Sequence, residues 1–285
     1  MRLMTTGMPI ALQPGDGAAL SAAEIPNVLS IAGSDPSGGA GIQGDLKTFA
    51  AIGVFGCAVP TALTAQNTTG VLSVWAVPAE IVTRQLEVLL DDVPVAAVKI
   101  GMLADAGVVR AVADVLRRYR PPWIVLDPVL HAGVGGALLT PDGLEMILEE
   151  LLPLVHLVTP NAMEAAALLG IEIPASVAEA RHAAVSLVGR GAPAALVTGG
   201  HLADERDCVD VLAAGGAVLV SRVTRESGDA HGTGCALSAA IAANLARGMA
   251  LAAACAEAQR FVAAAVRNRV HLHVGSGALP VHVLG

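Results

Sequence analysis

Short apolar segments alternate with helical ones along most of the chain, starting near residue 25. Apolar runs rich in β-branched residues predict strands, because strands that are buried on both faces read as continuous apolar stretches. The predicted strands cover residues 28–31, 57–63, 71–77, 96–100, 123–126, 156–158, 194–197, 209–212 and 217–220. Gly215 and Gly216 separate the last two strands, which predicts a β-hairpin. Pro60 predicts an edge, a bulge or a strand end within its segment, because proline cannot donate a ladder hydrogen bond.

The segments between the strands place apolar residues at the spacing of a helix face. The clearest predicted helices cover residues 42–52, 78–90, 233–246 and 250–267. This alternation is typical of an α/β fold, with a mostly parallel central sheet and helices on both faces. Residues 25–285 show no linker and no internal repeat, so they are predicted to form a single domain. Residues 1–24 mix Pro, Gly and Ala without periodicity, which predicts a flexible N-terminal extension.

Composition narrows the classes of function. Hydrophobic residues make up 54% of the chain and aromatic residues only 2%, so the core is expected to consist of aliphatic side chains. Polar residues interrupt the most apolar region, residues 236–266, so no membrane span is predicted. The net charge is -8 and the basic residues are scattered, which argues against nucleic acid and anionic membranes and favours a small-molecule partner. The four cysteines are far apart and form no C-x-x-C motif, which predicts a reduced, cytoplasmic setting.

A glycine-rich stretch, H-G-T-G-C, precedes the predicted helix 233–246. The backbone amides of Gly232, Thr233, Gly234 and Cys235 are therefore expected to converge at a helix N-terminus, which is a favourable site for phosphate. The same helix end is expected to shift the Cys235 thiol towards thiolate. The alternative is a simple glycine turn in which Cys235 is a small core residue. The chain has only two lysines and no G-x-x-x-x-G-K-[ST] motif, which excludes a P-loop.

Most of the predicted parallel strands end in a polar or glycine-rich signature. In open α/β sheets, ligands bind outside the carboxyl ends of the strands, so these signatures are expected to share one rim. In chain order they read G-S-D-P-S-G-G-A-G, T-A-Q-N-T, K-I-G-M, L-D-P-V, T-P-N-A-M-E and T-G-G-H.

These motifs, in this order and followed by H-G-T-G-C-A-L-S-A-A, resemble the hydroxymethylpyrimidine/phosphomethylpyrimidine kinases of thiamine biosynthesis, which are ribokinase-like enzymes. The resemblance covers residues 28 to about 281. It implies an enzyme that uses ATP and Mg²⁺ to phosphorylate 4-amino-5-hydroxymethyl-2-methylpyrimidine and then its monophosphate, giving the diphosphate. It also implies a homodimer. Two alternatives remain, namely a pyridoxal kinase and a non-catalytic protein that binds the pyrimidine or senses thiamine.

The resemblance assigns the pyrimidine pocket to Gly33, Asp45, Gln66 and Met102. Gln66 offers both a donor and an acceptor to an aminopyrimidine edge, and Met102 provides a pliable apolar wall. Two other interpretations stay open. Gln66 is also suited to capping a loop, and Asp45 lies in a predicted helix where it is also suited to a solvated face.

The resemblance assigns the nucleotide and metal site to Asp127, Asn161, Glu164 and Thr198. Asn161 and Glu164 match an N-x-x-E motif in which the carboxylate organises Mg²⁺ through water, and their spacing puts both on the first turn of a helix. Asp127 directly follows a strand and either approaches the metal or caps a turn. Thr198 stands where the family commonly has lysine, so a fixed positive charge is missing from this loop.

The resemblance also bears on catalysis. The amides of residues 232–235 are expected to cradle the transferring phosphoryl group. Many ribokinase-like enzymes place an aspartate base where this chain has Cys235. The thiol is therefore predicted either to act as a base or to fill a positional role.

Overall fold

A computed structural model describes residues 24–131, 136–200, 206–226, 228 and 230–284. The strands within these residues are β1 (Asn27–Ser34), β2 (Phe55–Asn67), β3 (Gly70–Ala76), β4 (Val95–Ile100), β5 (Ile124–Leu126), β6 (Leu157–Val158), β7 (Ala194–Val197), β8 (Asp207–Ala214) and β9 (Ala217–Thr224). The α-helices are α1 (Gly41–Ile52), α2 (Ala79–Asp92), α3 (Ala106–Tyr119), α4 (Pro141–Met146), α5 (Ala162–Leu169), α6 (Val177–Gly189), α7 (Thr233–Ala246) and α8 (Leu251–Asn268).

All of these strands belong to one sheet, in the order β3-β2-β1-β4-β5-β6-β7-β8-β9. Neighbours from β2 to β7 pair in parallel, whereas β2–β3, β7–β8 and β8–β9 pair antiparallel. The predicted hairpin is confirmed, and its two linking glycines both have positive φ angles, 55° and 78°. The predicted single-domain α/β fold with a mostly parallel sheet is therefore confirmed.

Helices cover both faces of the sheet. Alternate residues of β1 point to opposite faces, so Val28 belongs to the apolar cluster that includes residues of α1, α7 and α8. Leu29 belongs to the cluster on the other face, which includes residues of α2, α3, α5 and α6. Helix α7 is rich in alanine and is buried without interruption from Ala236 to Leu245. Small side chains let this helix approach the sheet closely, which brings its N-terminus to the strand ends.

Pro60 lies inside β2, which is longer than the predicted segment. The β1–β2 register shifts between Ala32, which pairs with Pro60, and Ser34. The β2–β3 pairing begins only at Ala62, so at Pro60 the strand has a neighbour on one side alone. The missing amide of proline is therefore tolerated beside a register shift, at a locally open edge, as the sequence predicts.

Two further sequence predictions can be compared with the structure only within the described residues. The predicted N-terminal extension lies outside them except for Glu24. In the part of the chain that the structure describes, no helix combines the length and the apolar character needed to cross a bilayer.

The order of the strands defines where a ligand site belongs. From β1 the chain passes through α1 on one face of the sheet to β2, whereas β4, the other neighbour of β1, continues into α3 on the opposite face. The loops that follow β1 and β4 therefore diverge and leave a crevice at the carboxyl ends of the strands.

Candidate active site

Helix α7 begins at Thr233, directly after the Gly232 cap, whose φ angle is 84°. A Cβ atom added to Gly232 would lie 1.9 Å from the carbonyl oxygen of Gly39, so this position requires glycine. Gly234 has no atom within 4 Å of the place where its Cβ would be. The loop after β1 and the start of α7 therefore touch at Gly232, and space remains beside Gly234.

The amides at the start of α7 are candidates for the anion hole that the sequence predicts. Among the described residues, the amides of 232–235 donate to no acceptor. The amides on either side are engaged, since His231 donates to Leu279 and Ala236 donates to Gly232. Unpaired amides at the positive end of a helix attract an anion. The assignment of these residues to catalysis remains a prediction.

The predicted thiolate character of Cys235 is wrong. Burial, together with the nearby carboxylates of Asp127 and Asp45, raises the pKa of Cys235 to about 12, although Lys99 and the Gly41 amide act in the opposite direction. Cys235 is therefore a neutral thiol at neutral pH. This finding favours the positional role over the basic one.

His231 connects the glycine-rich loop to the anion hole. Its Nε2 atom lies 2.9 Å from Oδ2 of Asp35, and Asp35 also accepts hydrogen bonds from the amides of Ser37 and Ala40. Burial opposes ionisation of Asp35, but the hydrogen bonds from His231 and Ser37 keep its pKa below the usual value. Neither His231 nor Asp35 received a role from the sequence, although both lie within the quoted motifs.

Three of the four predicted pyrimidine-pocket residues lie at the carboxyl ends of β1, β2 and β4. A Cβ atom on Gly33 would meet Sδ of Met102 at 2.8 Å, so these two residues are in contact. Met102 is buried and packs with Ala62 of β2. Gln66 lies near the carboxyl end of β2, beyond a register shift between Ala65 and Gln66 in the pairing with β3.

The structure also decides between the two interpretations of the Gln66 region. Oε1 of Gln66 lies 3.1 Å from the hydroxyl of Thr64, which itself donates to the carbonyl of Ser34 in the loop after β1. The turn between β2 and β3 is capped instead by Asn67, whose side chain accepts from the amides of Thr69 and Gly70. Loop capping therefore belongs to Asn67, and Gln66 remains a candidate for binding.

Asp45 does not join the other three residues on the pocket wall. It is fully buried, so the interpretation as a solvated helix face is wrong. Its two carboxylate oxygens lie 3.0 and 2.9 Å from Nζ of Lys99, and Ser30 donates to it at 2.6 Å. Asp45 therefore acts on the site indirectly, by holding the ammonium group of Lys99.

Sequence reasoning missed Lys99, which is the charged centre of the site. Its side chain is fully buried, and Nζ also lies 3.9 Å from Oδ2 of Asp127. Burial opposes the charge of Lys99, but the carboxylates of Asp45 and Asp127 act in the opposite direction, and the pKa of Lys99 is raised. A lysine within the apolar strand V-A-A-V-K-I was the available signal, because a lysine buried in a strand needs a carboxylate partner.

The predicted nucleotide and metal residues come together at the ends of β5, β6 and β7. Asn161 caps α5 and forms a reciprocal pair with Glu164, each side chain accepting from the other residue's amide at 2.9 Å. Thr198 donates its amide to Pro160 and forms an isolated bridge with Asn161. The side chain of Asp127 contacts Lys99 and accepts from Ser238 at 3.1 Å, rather than capping a turn.

Asp127 and Glu164 fit a divalent cation. Burial and the charge of Asp127 raise the pKa of Glu164 to about 8. Burial also raises the pKa of Asp127. The positive charge nearby is therefore too small to balance both carboxylates, so a bound cation would be favourable. Within the described ranges, no three His, Cys, Asp or Glu side chains converge, and this sparse ligand set suits Mg²⁺, which keeps several waters and phosphate ligands.

A crevice that offers free amides to an anion and a carboxylate pair to a divalent cation suits phosphate transfer from a nucleotide to a small acceptor. On this sheet, that chemistry defines a ribokinase-like kinase.

Comparison with known proteins supports this class. Residues 35–282 match the family described as phosphomethylpyrimidine kinase. The hydroxymethylpyrimidine/phosphomethylpyrimidine kinase of Rhizobium meliloti is 48% identical, over 89% of this chain and 95% of that protein. The chain therefore belongs to the phosphomethylpyrimidine kinase family.

Solved structures agree with this assignment. A phosphomethylpyrimidine kinase from Clostridium difficile has a TM-score of 0.75 at 37% identity, covering 85% of this chain and 99% of that one. The pyridoxal kinase from Staphylococcus aureus in complex with ADP has a TM-score of 0.84 at 31% identity, covering 92% of this chain and 94% of that one. Both cover at least 85% of this chain, so the fold alone does not separate their two acceptors.

Proposed function

We propose that this protein uses ATP to phosphorylate 4-amino-5-hydroxymethyl-2-methylpyrimidine and then the monophosphate, supplying the diphosphate for thiamine diphosphate biosynthesis. The observation that carries this proposal is the set of unpaired amides at the start of α7, next to the Lys99–Asp127 ion pair. Membership of the family supports both phosphorylation steps.

In the proposed mechanism the residues of the chain position the reactants. Gly33, Gln66 and Met102 hold the pyrimidine so that its hydroxymethyl group points towards Cys235. The amides of 232–235 stabilise the charge that develops on the transferring phosphoryl group, and a preorganised donor of this kind is worth roughly 10²- to 10³-fold in rate. The neutral thiol of Cys235 orients the acceptor hydroxyl, whose oxygen bonds to the γ-phosphorus as ADP leaves. The hydroxyl proton passes to an oxygen of the transferred phosphoryl group. When bound, Mg²⁺ supplies neutralising charge for the nucleotide phosphates, and Asp127 and Glu164 would hold it.

A pyridoxal kinase is the second candidate, favoured by the structural similarity to the enzyme from Staphylococcus aureus. The deciding experiment is coupled detection of ADP release with Mg²⁺-ATP and, in turn, the hydroxymethylpyrimidine, its monophosphate and pyridoxal. We expect turnover with both pyrimidines, and a kcat/KM for pyridoxal at least tenfold lower. Turnover with pyridoxal alone would establish the second candidate, and pyrimidine binding without ADP release would identify a non-catalytic binder.

The Gln66→Ala variant tests the pocket. We expect the KM for the hydroxymethylpyrimidine to rise about 10- to 100-fold, because a lost hydrogen bond at a desolvated site costs about 1–3 kcal/mol. The KM for ATP should stay within a factor of about two. Steady-state kinetics measures both values. Asn67→Ala is the matched control, since Asn67 caps only the β2–β3 turn. An equal effect of the two substitutions would remove Gln66 from the pocket.

The Glu164→Gln variant tests the Mg²⁺ site. We expect the concentration of Mg²⁺ needed for half-maximal activity to rise about tenfold or more, because one of two carboxylates loses its charge. Glu179→Gln makes the same change in the other capping box, on the exposed end of α6, and should leave the Mg²⁺ requirement unchanged.

The wild-type protein should also show a pH dependence that Glu164→Gln lacks. Folding raises the pKa of Glu164 from 4.5 to about 8. The proton on Glu164 therefore stabilises the folded protein without a cation. This stabilisation is fully present below pH 4.5 and is lost as pH rises through about 8. Mg²⁺ binds the ionised form, so the thermal shift produced by Mg²⁺ should grow between about pH 6.5 and 8.5. A Mg²⁺ shift that is independent of pH in the wild type would contradict this assignment.

We further propose a cytoplasmic homodimer. Leu63 and Trp75 pair across β2 and β3 and are 52% and 60% exposed, next to the outer side of β3, where no further strand lies among the described residues. An exposed apolar patch beside an unpaired strand edge favours association. Sedimentation equilibrium should give twice the chain mass, and a monomer at micromolar concentration would refute the dimer. The four unpaired cysteines support the reduced, cytoplasmic setting.

A further inference from the structure

The loop after β7, from Thr198 to Gly200, belongs to the proposed nucleotide site. Its backbone is attached to the neighbouring strand end through Thr198, whose amide donates to Pro160. The β8–β9 hairpin lies on the other side of β7 and reaches the same loop. Two charged residues of this hairpin region, Asp210 and Arg225, contact the loop directly.

Asp210 holds the amide of the loop. Its Oδ1 atom accepts a hydrogen bond from the Gly199 amide at 3.0 Å, and the residue is only 5% exposed. The neighbouring Val209 and Val211 are fully buried, so Asp210 is a carboxylic acid in a largely apolar strand. Burial raises its pKa to about 6. A buried carboxylic acid destabilises the fold unless its hydrogen bonds are made, so the bond from the Gly199 amide contributes to stability.

Arg225 holds the carbonyl groups of the same loop. Its guanidinium donates to the carbonyl of Gly200 and, at 3.5 Å, to that of Gly199. A further bond, 3.4 Å long, reaches the carbonyl of Asp207 at the start of β8. Asp210 and Arg225 therefore restrain Gly199 from its amide and its carbonyl at once, and two adjacent glycines have few other restraints of their own.

We propose that Asp210 and Arg225 are positioning residues for the nucleoside triphosphate, because they fix the backbone of residues 198–200 in the conformation that receives its phosphates. This inference rests on the proposed function. It also bears on how the loop binds phosphate without a lysine at position 198. The loop carries Thr198 instead of a flexible lysine side chain, so nucleotide binding at this loop depends more on the orientation of its backbone.

The test compares Asp210→Ala with Asp210→Asn. The alanine variant loses the acceptor for the Gly199 amide, so we expect the KM for ATP and the Kd for ADP to rise about 10-fold or more. The KM for the pyrimidine should stay within about twofold. The asparagine variant keeps an acceptor oxygen and should restore most of the nucleotide affinity. Arg225→Ala should repeat the nucleotide effect. Asp207→Asn is the matched control, because the substitution leaves in place the backbone carbonyl that Arg225 contacts.

Titration calorimetry with ADP needs no acceptor substrate, so it tests this inference even if the pyrimidine proves not to be the substrate. Circular dichroism and thermal unfolding confirm that each variant is folded at the assay temperature. An Asp210→Ala protein that is folded and binds ADP with wild-type affinity would overturn the proposal. Equal rises in the constants for ATP and pyrimidine would also overturn it, because they would indicate a general structural role.

Discussion

Replacing Cys235 with alanine should lower kcat by about 100-fold or more and leave the fold intact. The residue stands at the first turn of α7, where its thiol lies near Lys99 and Asp127. Loss of one positioned group at a phosphoryl-transfer site costs this much because catalysis there depends mainly on placement and electrostatics. Single-turnover kinetics measures the chemical step, and circular dichroism checks the fold. A variant with near-normal turnover would reduce Cys235 to a packing residue.

Two further observations separate a neutral thiol from a thiolate base. With a pKa of about 12, Cys235 should produce no inflection in the kcat profile between about pH 6 and 9, and it should react slowly with iodoacetamide. Cys235→Ser should retain more activity than Cys235→Ala, since a hydroxyl also orients the acceptor. Cys255→Ala makes the same deletion in the buried face of α8 and should leave kcat unchanged. Rapid alkylation at neutral pH would restore the thiolate interpretation.

Replacing Lys99 with methionine should destabilise the protein by about 3–5 kcal/mol, the range for removing one partner of a buried ion pair. The substitution leaves Asp45 without its cation in a fully buried environment and takes away the nearest positive charge from Asp127. Urea unfolding at neutral pH measures the change. Activity should fall as well, because the position of Asp127 depends on this cluster.

Lys47→Met provides the matched control, because Lys47 is the only other lysine. Its side chain is exposed and donates to the carbonyl of Gly38 at 2.7 Å, so its loss should cost no more than about 1 kcal/mol. Adding Asp45→Asn to Lys99→Met should recover part of the lost stability, since the double variant no longer buries an unpaired charge. A Lys99→Met protein within about 1 kcal/mol of the wild type would disprove the role of the ion pair.

Local patterns predicted the fold and part of the site. The strand periodicity, the two glycines of the β8–β9 hairpin and the Asn161–Glu164 spacing each depend on neighbours in the sequence, and the structure contains all of these features. The glycine-rich start of α7 was equally readable, because Gly232 needs a positive φ angle that few other residues adopt.

Errors and omissions arose where distant segments meet. The pKa of Cys235 depends on burial and on carboxylates far away in the sequence, so the local argument from the helix N-terminus gave the wrong direction. Asp45 carried no sign of its burial, because its partner Lys99 is 54 residues away. The contacts of Asp210 and Arg225 with the loop after β7 likewise appear only when the hairpin folds back.

The phosphate cradle at the start of α7 consists of peptide groups rather than side chains, and this has a consequence for inhibitor design. Only a change to proline deletes a backbone N–H, and it would take the same donor away from the phosphoryl group. Gly232 has almost no room for a larger residue because Gly39 lies against it. An inhibitor that places an anionic group on these amides would therefore face a narrow route to resistance. Even at Gly234, where there is free space, a new side chain would block the inhibitor and the phosphoryl group alike.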